Sequence, residues 1–245
     1  MLEITVDIKP RGTASAYIEA PFDAGKQALE SQGYRIISLE ENARLRVQEG
    51  EQAFISQNGN RVREGAGYFR GKGAFLTKAS PIMINPKKAT DCHRDGKDFY
   101  LNQEQLEQAL ADSFPISENP IPTNRFGEEG LTNYAFGGFE KQYGEFLKEA
   151  GIKEMPIWLA DIQEKPFVRP VWFCRPGYGR SGLYCSGRFL DYGGLYVDLR
   201  VRGVSNGAEG TAKNSEAYTP AQIAKALKSS NFSGLETILL ASLRQ

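Results

Sequence analysis

Residues Pro170–Val204 of this 245-residue chain read PVWFCRPGYGRSGLYCSGRFLDYGGLYVDLRVRGV. From Pro166 to Ala208 the sequence contains no Glu, Lys, Gln or Met, although Glu, Lys and Gln are frequent elsewhere in the chain. Tyr, Ser, Gly, Asp and Arg stand in their place. Tyr supplies rigid, amphipathic contact area, and Ser, Gly and Asp supply short polar contacts. The composition is therefore typical of a binding surface.

The genetic code offers a second explanation for the missing residue types. When an AAC codon for Asn changes only at its adenines, the products include Tyr, Asp, Ser, Cys, Gly, Arg, Phe and Leu. Glu, Lys, Gln, Met and Trp never appear among them. An ordinary strand-rich segment with tight turns is also poor in Glu, Lys and Gln and rich in Tyr, Phe, Val and Gly. Composition alone leaves both interpretations open.

A spaced set of frame residues runs through the segment: Trp172, Arg180-Ser181, Leu183, Arg188, Leu190 and Arg202-Gly203-Val204. With this frame the sequence resembles the variable proteins of diversity-generating retroelements, in particular the group from small-genome bacteria and archaea. In that family a reverse transcriptase copies a template with errors at adenines, and the copy replaces the end of the variable protein's gene. Further stretches read as family frame: Asp98–Leu101, Pro122–Gly127, Tyr143–Leu147 and Glu154–Leu159. The resemblance covers roughly residues 30 to 245, is most specific over 154 to 204, and favours the diversified interpretation.

The resemblance implies an α+β, C-type-lectin-like fold with a small antiparallel sheet, flanking helices and an N-terminal α+β elaboration. Residues 1–115 form the N-terminal region, either as a separate domain or as part of one continuous domain. Residues 116–204 form the lectin-like body with the variable segment 172–204, and residues 205–245 form a linker and two C-terminal helices.

On that fold the frame residues are expected at buried strand positions, and the variable side chains are expected to face the solvent as ligand contacts. Those contacts are Tyr178, Tyr184, Ser186, Phe189, Asp191, Tyr192, Tyr196 and Asp198. Aromatic residues beside charged and small polar ones are typical of binding hot spots. Arg180, Arg188 and Arg202 are expected to hold backbone carbonyls with their guanidinium forks. The prediction is a non-enzymatic protein that binds a variable macromolecular ligand, with a protein as the favoured partner.

Two other functions stay open at this point. An enzyme of the formylglycine-generating, sulfatase-modifying type shares the lectin-like fold and would use Cys174 and Cys185 as reactive thiols. A fixed structural or assembly protein is the third hypothesis. The calcium motifs Glu-Pro-Asn and Trp-Asn-Asp of sugar-binding lectins are absent from the sequence, so carbohydrate binding does not follow from the fold. No cofactor or metal is predicted, since the DCHRD stretch around His93 lacks the ligand spacing of zinc or calcium sites.

Charge and cysteine content limit the remaining function classes. Thirty basic and thirty acidic residues balance, which argues against a nucleic-acid-binding surface. Cys174 and Cys185 can pair across a hairpin, but a reduced state is the default for three cysteines without a spacing pattern. We expect no membrane insertion, because the longest apolar run, Ile238–Ala241, is far too short to span a bilayer. The chain as sequenced is expected to be cytoplasmic, with surface display by another route and the oligomeric state left open.

The local pattern predicts several elements outside the segment. Asp23 is expected to cap a helix that Gly33 ends, and Asn102 to cap a helix reaching Ser113. Residues 40–48 are predicted to form a short helix or a continuation of the preceding strand, at the surface because they are polar. Residues 54–84 read as strands joined by glycine turns, and residues 91–95 as a hydrogen-bonded turn. The glycine turns are placed at Asn58-Gly59-Asn60, Gly65-Ala66-Gly67 and Gly71-Lys72-Gly73.

Overall fold

A computed structural model describes residues 5–8, 14–174, 182–185 and 200–205 of the chain. Its strands are β1 (Thr5–Ile8), β2 (Ala14–Glu19), β3 (Tyr34–Ile36), β4 (Asn60–Phe69), β5 (Gly73–Thr77), β6 (Phe99–Tyr100), β7 (Ser113–Pro115), β8 (Ile121–Pro122), β9 (Glu154–Met155), β10 (Ile157–Trp158), β11 (Phe167–Phe173), β12 (Leu183–Tyr184) and β13 (Arg200–Ser205). Its α-helices are α1 (Phe22–Ser31), α2 (Leu39–Glu49), α3 (Phe54–Gln57), α4 (Pro81–Ile84), α5 (Pro86–Arg94), α6 (Gln103–Ala111), α7 (Gly130–Phe136) and α8 (Glu140–Glu149).

Eleven of the described strands form one sheet, so it is larger than the small sheet expected from the sequence. Its main path runs β1-β2-β13-β4-β11-β12-β10; β3 pairs with β13, β6 with β11, and β5 with both β4 and β7. Most pairs are antiparallel, whereas β13 with β4 and β10 with β12 are parallel. The mixture of one large sheet and packed helices is the predicted α+β class.

The chain on either side of residue 115 contributes to this sheet. β4 pairs along its length with β11, from Phe173 opposite Asn60 to Phe167 opposite Tyr68. β2 and β3 both pair with β13. Of the strands in the segment 170–204, β11 and β13 therefore lie on the two sides of β4.

Two apolar clusters lie against the sheet, and alternation along the strands assigns them to its opposite faces. Val171 and Phe173 of β11 belong to the cluster under α2, α7 and α8, whereas Val168 belongs to the cluster under α1 and α5. Helices therefore pack on both faces of the sheet. No described helix is long and apolar enough to cross a membrane.

Local signals correctly placed several helix ends. The Asn102 side chain accepts the backbone N–H of Gln105 at 2.8 Å, and the Gln105 side chain accepts that of Asn102, so the predicted cap of α6 is confirmed. Gly33, with a φ of 79°, follows α1 as expected. The prediction for Asp23 was wrong, because α1 starts at Phe22, after Pro21, and has no side-chain cap.

Two turn predictions were also wrong. Gly65-Ala66-Gly67 lies inside β4, where its glycines are needed for close packing: a Cβ on Gly65 would approach the Ser80 hydroxyl to 2.5 Å, and one on Gly67 would approach the Phe69 ring to 2.6 Å. Residues 91–94 belong to α5, which Asp91 stabilises by pairing with Arg94 at 2.8 Å. The polar composition of residues 91–95 led to the prediction of a turn, although residues 91–94 belong to a surface helix.

Candidate functional site

The candidate site is the end of the sheet where residues 175–181 and 186–199 join the described strands. Those two stretches lie outside the described residues and carry seven of the eight predicted ligand contacts: Tyr178, Ser186, Phe189, Asp191, Tyr192, Tyr196 and Asp198. Their described neighbours in the chain are Cys174, Gly182, Cys185 and Arg200. Phe173 is paired with Asn60, and Val201 with Arg61, so β11 ends and β13 begins beside the start of β4.

The end of β11 is held by an arginine from α2. Arg46 has no exposed surface, and it donates hydrogen bonds to the Phe173 carbonyl at 3.3 Å and to the Tyr143 hydroxyl at 3.0 Å. Its guanidinium also lies 4.0 Å from the centre of the Phe173 ring, a cation–π distance. Arg46 thus joins α2, α8 and the last residue of β11.

The end of β12 is held by a tyrosine from β4. The Tyr68 hydroxyl donates to the Cys185 carbonyl at 2.8 Å and accepts the N–H of Ala160 at 3.3 Å. The Tyr68 ring stacks on Phe167 with 4.7 Å between ring centres. Burial raises the pKa of Tyr68, so the hydroxyl keeps the proton that it donates.

The start of β13 is held by charged and polar groups from the N-terminal region. Arg200 pairs with Glu19 at 2.9 Å and donates to the Asn58 side chain at 3.2 Å and the Gly59 carbonyl at 3.4 Å. Its guanidinium lies 5.3 Å from the centre of the Phe54 ring, which stacks on Tyr17. Three of the segment's junctions are therefore fixed by residues that precede residue 116.

Arg202, a predicted frame residue, is fully buried in β13. It donates to the Ser15 hydroxyl at 2.9 Å and lies 5.6 Å from the centres of both the Tyr17 and Phe54 rings. Through these contacts Arg202 joins β13 to β2 and α3. Arg180 and Arg188 lie outside the described residues.

Tyr184 is the predicted contact that the structure describes, and it belongs to a row across four strands. Trp158 of β10 is paired with Tyr184 of β12, Tyr184 with Trp172 of β11, and Trp172 with Arg61 of β4. Directly paired residues point to the same face of a sheet, so these four side chains lie side by side. We call this set, Trp158, Tyr184, Trp172 and Arg61, the aromatic row.

Each indole of the aromatic row lies against a glycine. A Cβ on Gly59 would come within 2.3 Å of Trp172 Nε1, and a Cβ on Gly182 would come within 3.0 Å of Trp158. The Trp158 and Tyr184 rings are 6.2 Å apart, and the Arg61 guanidinium lies 5.6 Å from the Trp172 ring centre. Trp158, Tyr184 and Trp172 are half-buried, so the row keeps a partly accessible aromatic surface.

The cysteines near the site are buried and form no disulfide. Cys174 and Cys185 are 8% and 0% exposed, and they are not joined to each other. Burial, and then the nearby Cys174 thiol, raise the pKa of the Cys185 thiol. A catalytic thiol needs the opposite shift, because the thiolate is the nucleophile. Among the described residues no cluster of His, Cys, Asp and Glu could hold a metal ion.

Comparisons with known proteins bear on the fold. No family model matches the chain, and no curated protein matches it in sequence. One solved structure matches 81% of this chain and 99% of its own with a TM-score of 0.60 and 15% sequence identity. It concerns the accommodation of massive sequence variation in Nanoarchaeota by the C-type lectin fold.

The chain has a C-type lectin fold. The predicted α+β, C-type-lectin-like class is therefore confirmed. At 15% identity the likeness establishes this fold alone.

Sequence reasoning missed much of this lectin-fold site. Trp158 was interpreted as part of a buried strand, and Arg61, Arg46 and Tyr68 were not identified. Their positions depend on strand register and on contacts such as Arg46 with Phe173, which are 127 residues apart in sequence. The run Pro156–Ala160 has the sequence of a buried strand, and β10 lies within it, but the sequence does not reveal its partner strands.

Proposed function

We propose that this protein is a non-catalytic binding protein whose segment Trp172–Val204 is diversified by adenine-directed mutagenic retrohoming. Its ligand is macromolecular, with a protein favoured, and the contacts lie at the eight predicted positions from Tyr178 to Asp198. The composition of the segment supports this proposal, because it has the Tyr, Ser, Gly and Asp content of binding surfaces. The C-type lectin fold is compatible with it.

One structural observation carries the proposal. The junctions at Phe173, Cys185 and Arg200 are held by side chains or backbone from residues 1–115, namely Arg46, Tyr68, Glu19, Asn58 and Gly59. None of these groups belongs to the segment. A fold whose segment ends are fixed from outside can accept changes between those ends with little loss of stability.

The burial of the cysteines supports a binding role over the enzymatic alternative. A sulfatase-modifying enzyme needs accessible, activated thiols, whereas Cys174 and Cys185 are buried and burial raises the pKa of Cys185. The DNA around the gene distinguishes the proposed binding protein from a fixed structural protein, because only a diversified gene has a template copy beside it.

The first experiment is to sequence the DNA that flanks the gene. We expect a near-copy of the codons for Trp172–Val204 that differs almost only at adenines, close to a reverse-transcriptase gene. A complete locus without such a copy would return the segment to an ordinary turn-rich region of fixed function.

A second experiment compares substitutions within the segment. Tyr192→Ser and Tyr196→Ser, at predicted solvent-facing positions, are expected to change the free energy of unfolding by no more than about 0.5 kcal/mol each. Leu183→Ala is the matched control, since Leu183 is fully buried in the same segment, and it is expected to cost about 2–5 kcal/mol. Urea unfolding measures all three. Tyrosine variants as costly as the leucine variant would show that these tyrosines are core residues.

A further inference from the structure

The aromatic row contains both tryptophans of the chain. Trp158 and Trp172 are the only two in the sequence, and the strand register places them on either side of Tyr184. Trp codons cannot arise from AAC codons by changes at adenines, and Trp158 and Arg61 lie outside the segment Trp172–Val204. At least three members of the row are therefore fixed under the proposed diversification.

The chemistry of the row is that of a protein-binding hot spot. Trp and Tyr, the partly accessible residues of the row, are among the types most enriched where protein–protein binding energy concentrates, whereas Arg61 is buried beside Trp172. The indoles lie against Gly59 and Gly182, which holds them in place and lowers the entropy cost of binding. The balanced charge of the chain disfavours nucleic acid, the other macromolecule that stacks on aromatic side chains.

The row is also close in the chain to the stretches that are proposed to vary. Tyr184 is next to Cys185, after which residues 186–199 begin, and Trp172 is three residues before Arg175, where residues 175–181 begin. A ligand bound by those stretches therefore has the row within its reach.

We propose that the aromatic row is a constant docking site for protein ligands, used together with the diversified contacts. This inference rests on the proposed function, and it assigns the ligand class. The row seats an apolar side chain of the partner protein against the indoles, and the residues proposed to vary set which partner is accepted.

The test is to select binders without knowing the natural ligand. A displayed library of random short peptides is panned on the full-length protein, and each selected peptide is titrated against the wild type and single variants. We expect independent peptides to lose about tenfold or more in affinity with Trp158→Ala, as hot-spot residues do. Ile84→Ala is the matched control, because Ile84 is 65% exposed, more than any residue of the row.

Intrinsic fluorescence keeps the proposal testable if Trp158→Ala fails to fold. Because both tryptophans belong to the row, peptide binding to the wild type is expected to shift or quench the emission. Peptides that lose affinity with Ile84→Ala instead, or bind without changing the emission, would overturn the proposal. So would an emission response to single-stranded oligothymidine or simple sugars with none to the peptides.

The two proposals fail separately. Peptides that converge on the row in a protein whose locus has no template copy would refute diversification alone. A template copy beside the gene, with peptides that ignore the row, would refute the constant docking site alone.

Discussion

A single buried guanidinium holds one end of the proposed variable segment in place. Arg46 lies in α2, a helix that its polar sequence placed at the surface, yet the residue is fully buried against Tyr143 and Phe173. The sequence pattern does not predict the burial of Arg46, because arginine is normally exposed and its burial here depends on partners far away in the chain.

Arg46→Ala is expected to lower the free energy of unfolding by about 2–4 kcal/mol, because the Tyr143 hydroxyl and the Phe173 carbonyl lose their hydrogen-bond partner inside the protein. Urea unfolding measures the change. The matched control is Arg44→Ala on the same helix, where an exposed pair with Glu40 is worth no more than about 1 kcal/mol. Equal costs for the two variants would show that Arg46 contributes no more than a surface residue.

A buried carboxyl makes stability depend on pH. Glu64 in β4 is 2% exposed, and its carboxylate accepts the backbone N–H of Leu39 at 3.1 Å, at the start of α2. Burial raises the pKa of Glu64 from 4.5 to about 7, although hydrogen bonds to backbone N–H groups and the charges of Arg63 and Lys78 act in the opposite direction. The folded protein thus holds this proton more tightly than the unfolded chain does.

The contribution of Glu64 to stability is therefore complete below pH 4.5 and is lost as the pH rises through about 7. The loss across this interval is expected to reach up to about 3 kcal/mol. Glu64→Gln keeps a side-chain acceptor for Leu39 without the charge, so it should be more stable than the wild type at pH 8 and equally stable at pH 4. Unfolding experiments across this pH range test the expectation, with the exposed Glu154→Gln as control. Parallel pH profiles for Glu64→Gln and the wild type would contradict it.

At the scale of elements, the sequence predicted several helix ends correctly but did not predict strand register. The capping box of α6 and the glycine after α1 follow from a few neighbouring residues. The interior glycines of β4 were wrongly predicted to form a turn, because a glycine that permits a turn and a glycine that permits close packing look the same in sequence. Only the partner strand distinguishes them.

Gly59 is the clearest case of such packing, and Gly59→Ala tests it. The added Cβ would lie 2.3 Å from Trp172 Nε1, so the indole must move, at a cost of about 1–3 kcal/mol. The tryptophan emission spectrum and urea unfolding report the two effects. In a background of Trp172→Leu the same substitution should cost less, since the clash is removed. Additive costs would mean that Gly59 and Trp172 do not constrain each other.

At the scale of the molecule, β13 connects strands from across the chain. It pairs with β2, β3 and β4, all from residues 1–115, while β4 pairs in turn with β11. The sequence left open whether residues 1–115 are a separate domain, because no composition or linker signal reveals which strands pair. The sequence-based class, α+β on a C-type lectin fold, was correct because the frame residues identify the fold without the register.

We expect residues 1–115 and 116–205 to unfold as one unit. Val201→Ala in β13 removes two buried methyl groups from a fully buried side chain and should lower the free energy of opening by about 1–3 kcal/mol. Native-state hydrogen exchange should show this decrease equally for amides of α1 and α8. A decrease limited to α1 would show that the N-terminal region is an independent domain.

The pairing of β2 with β13 has a consequence for biosynthesis. Glu19 is opposite Arg200, so the ribosome has made nearly the whole chain before β2 gains this partner. Until then β2 has an unpaired edge, the kind of surface that proteolysis and aggregation act on. Under the proposed diversification, β13 directly follows residues that vary, so a new sequence that prevents β13 from docking leaves β2 with an unpaired edge. On that proposal, protein quality control removes failed variants before they compete for ligand, and only the versions that close the sheet persist.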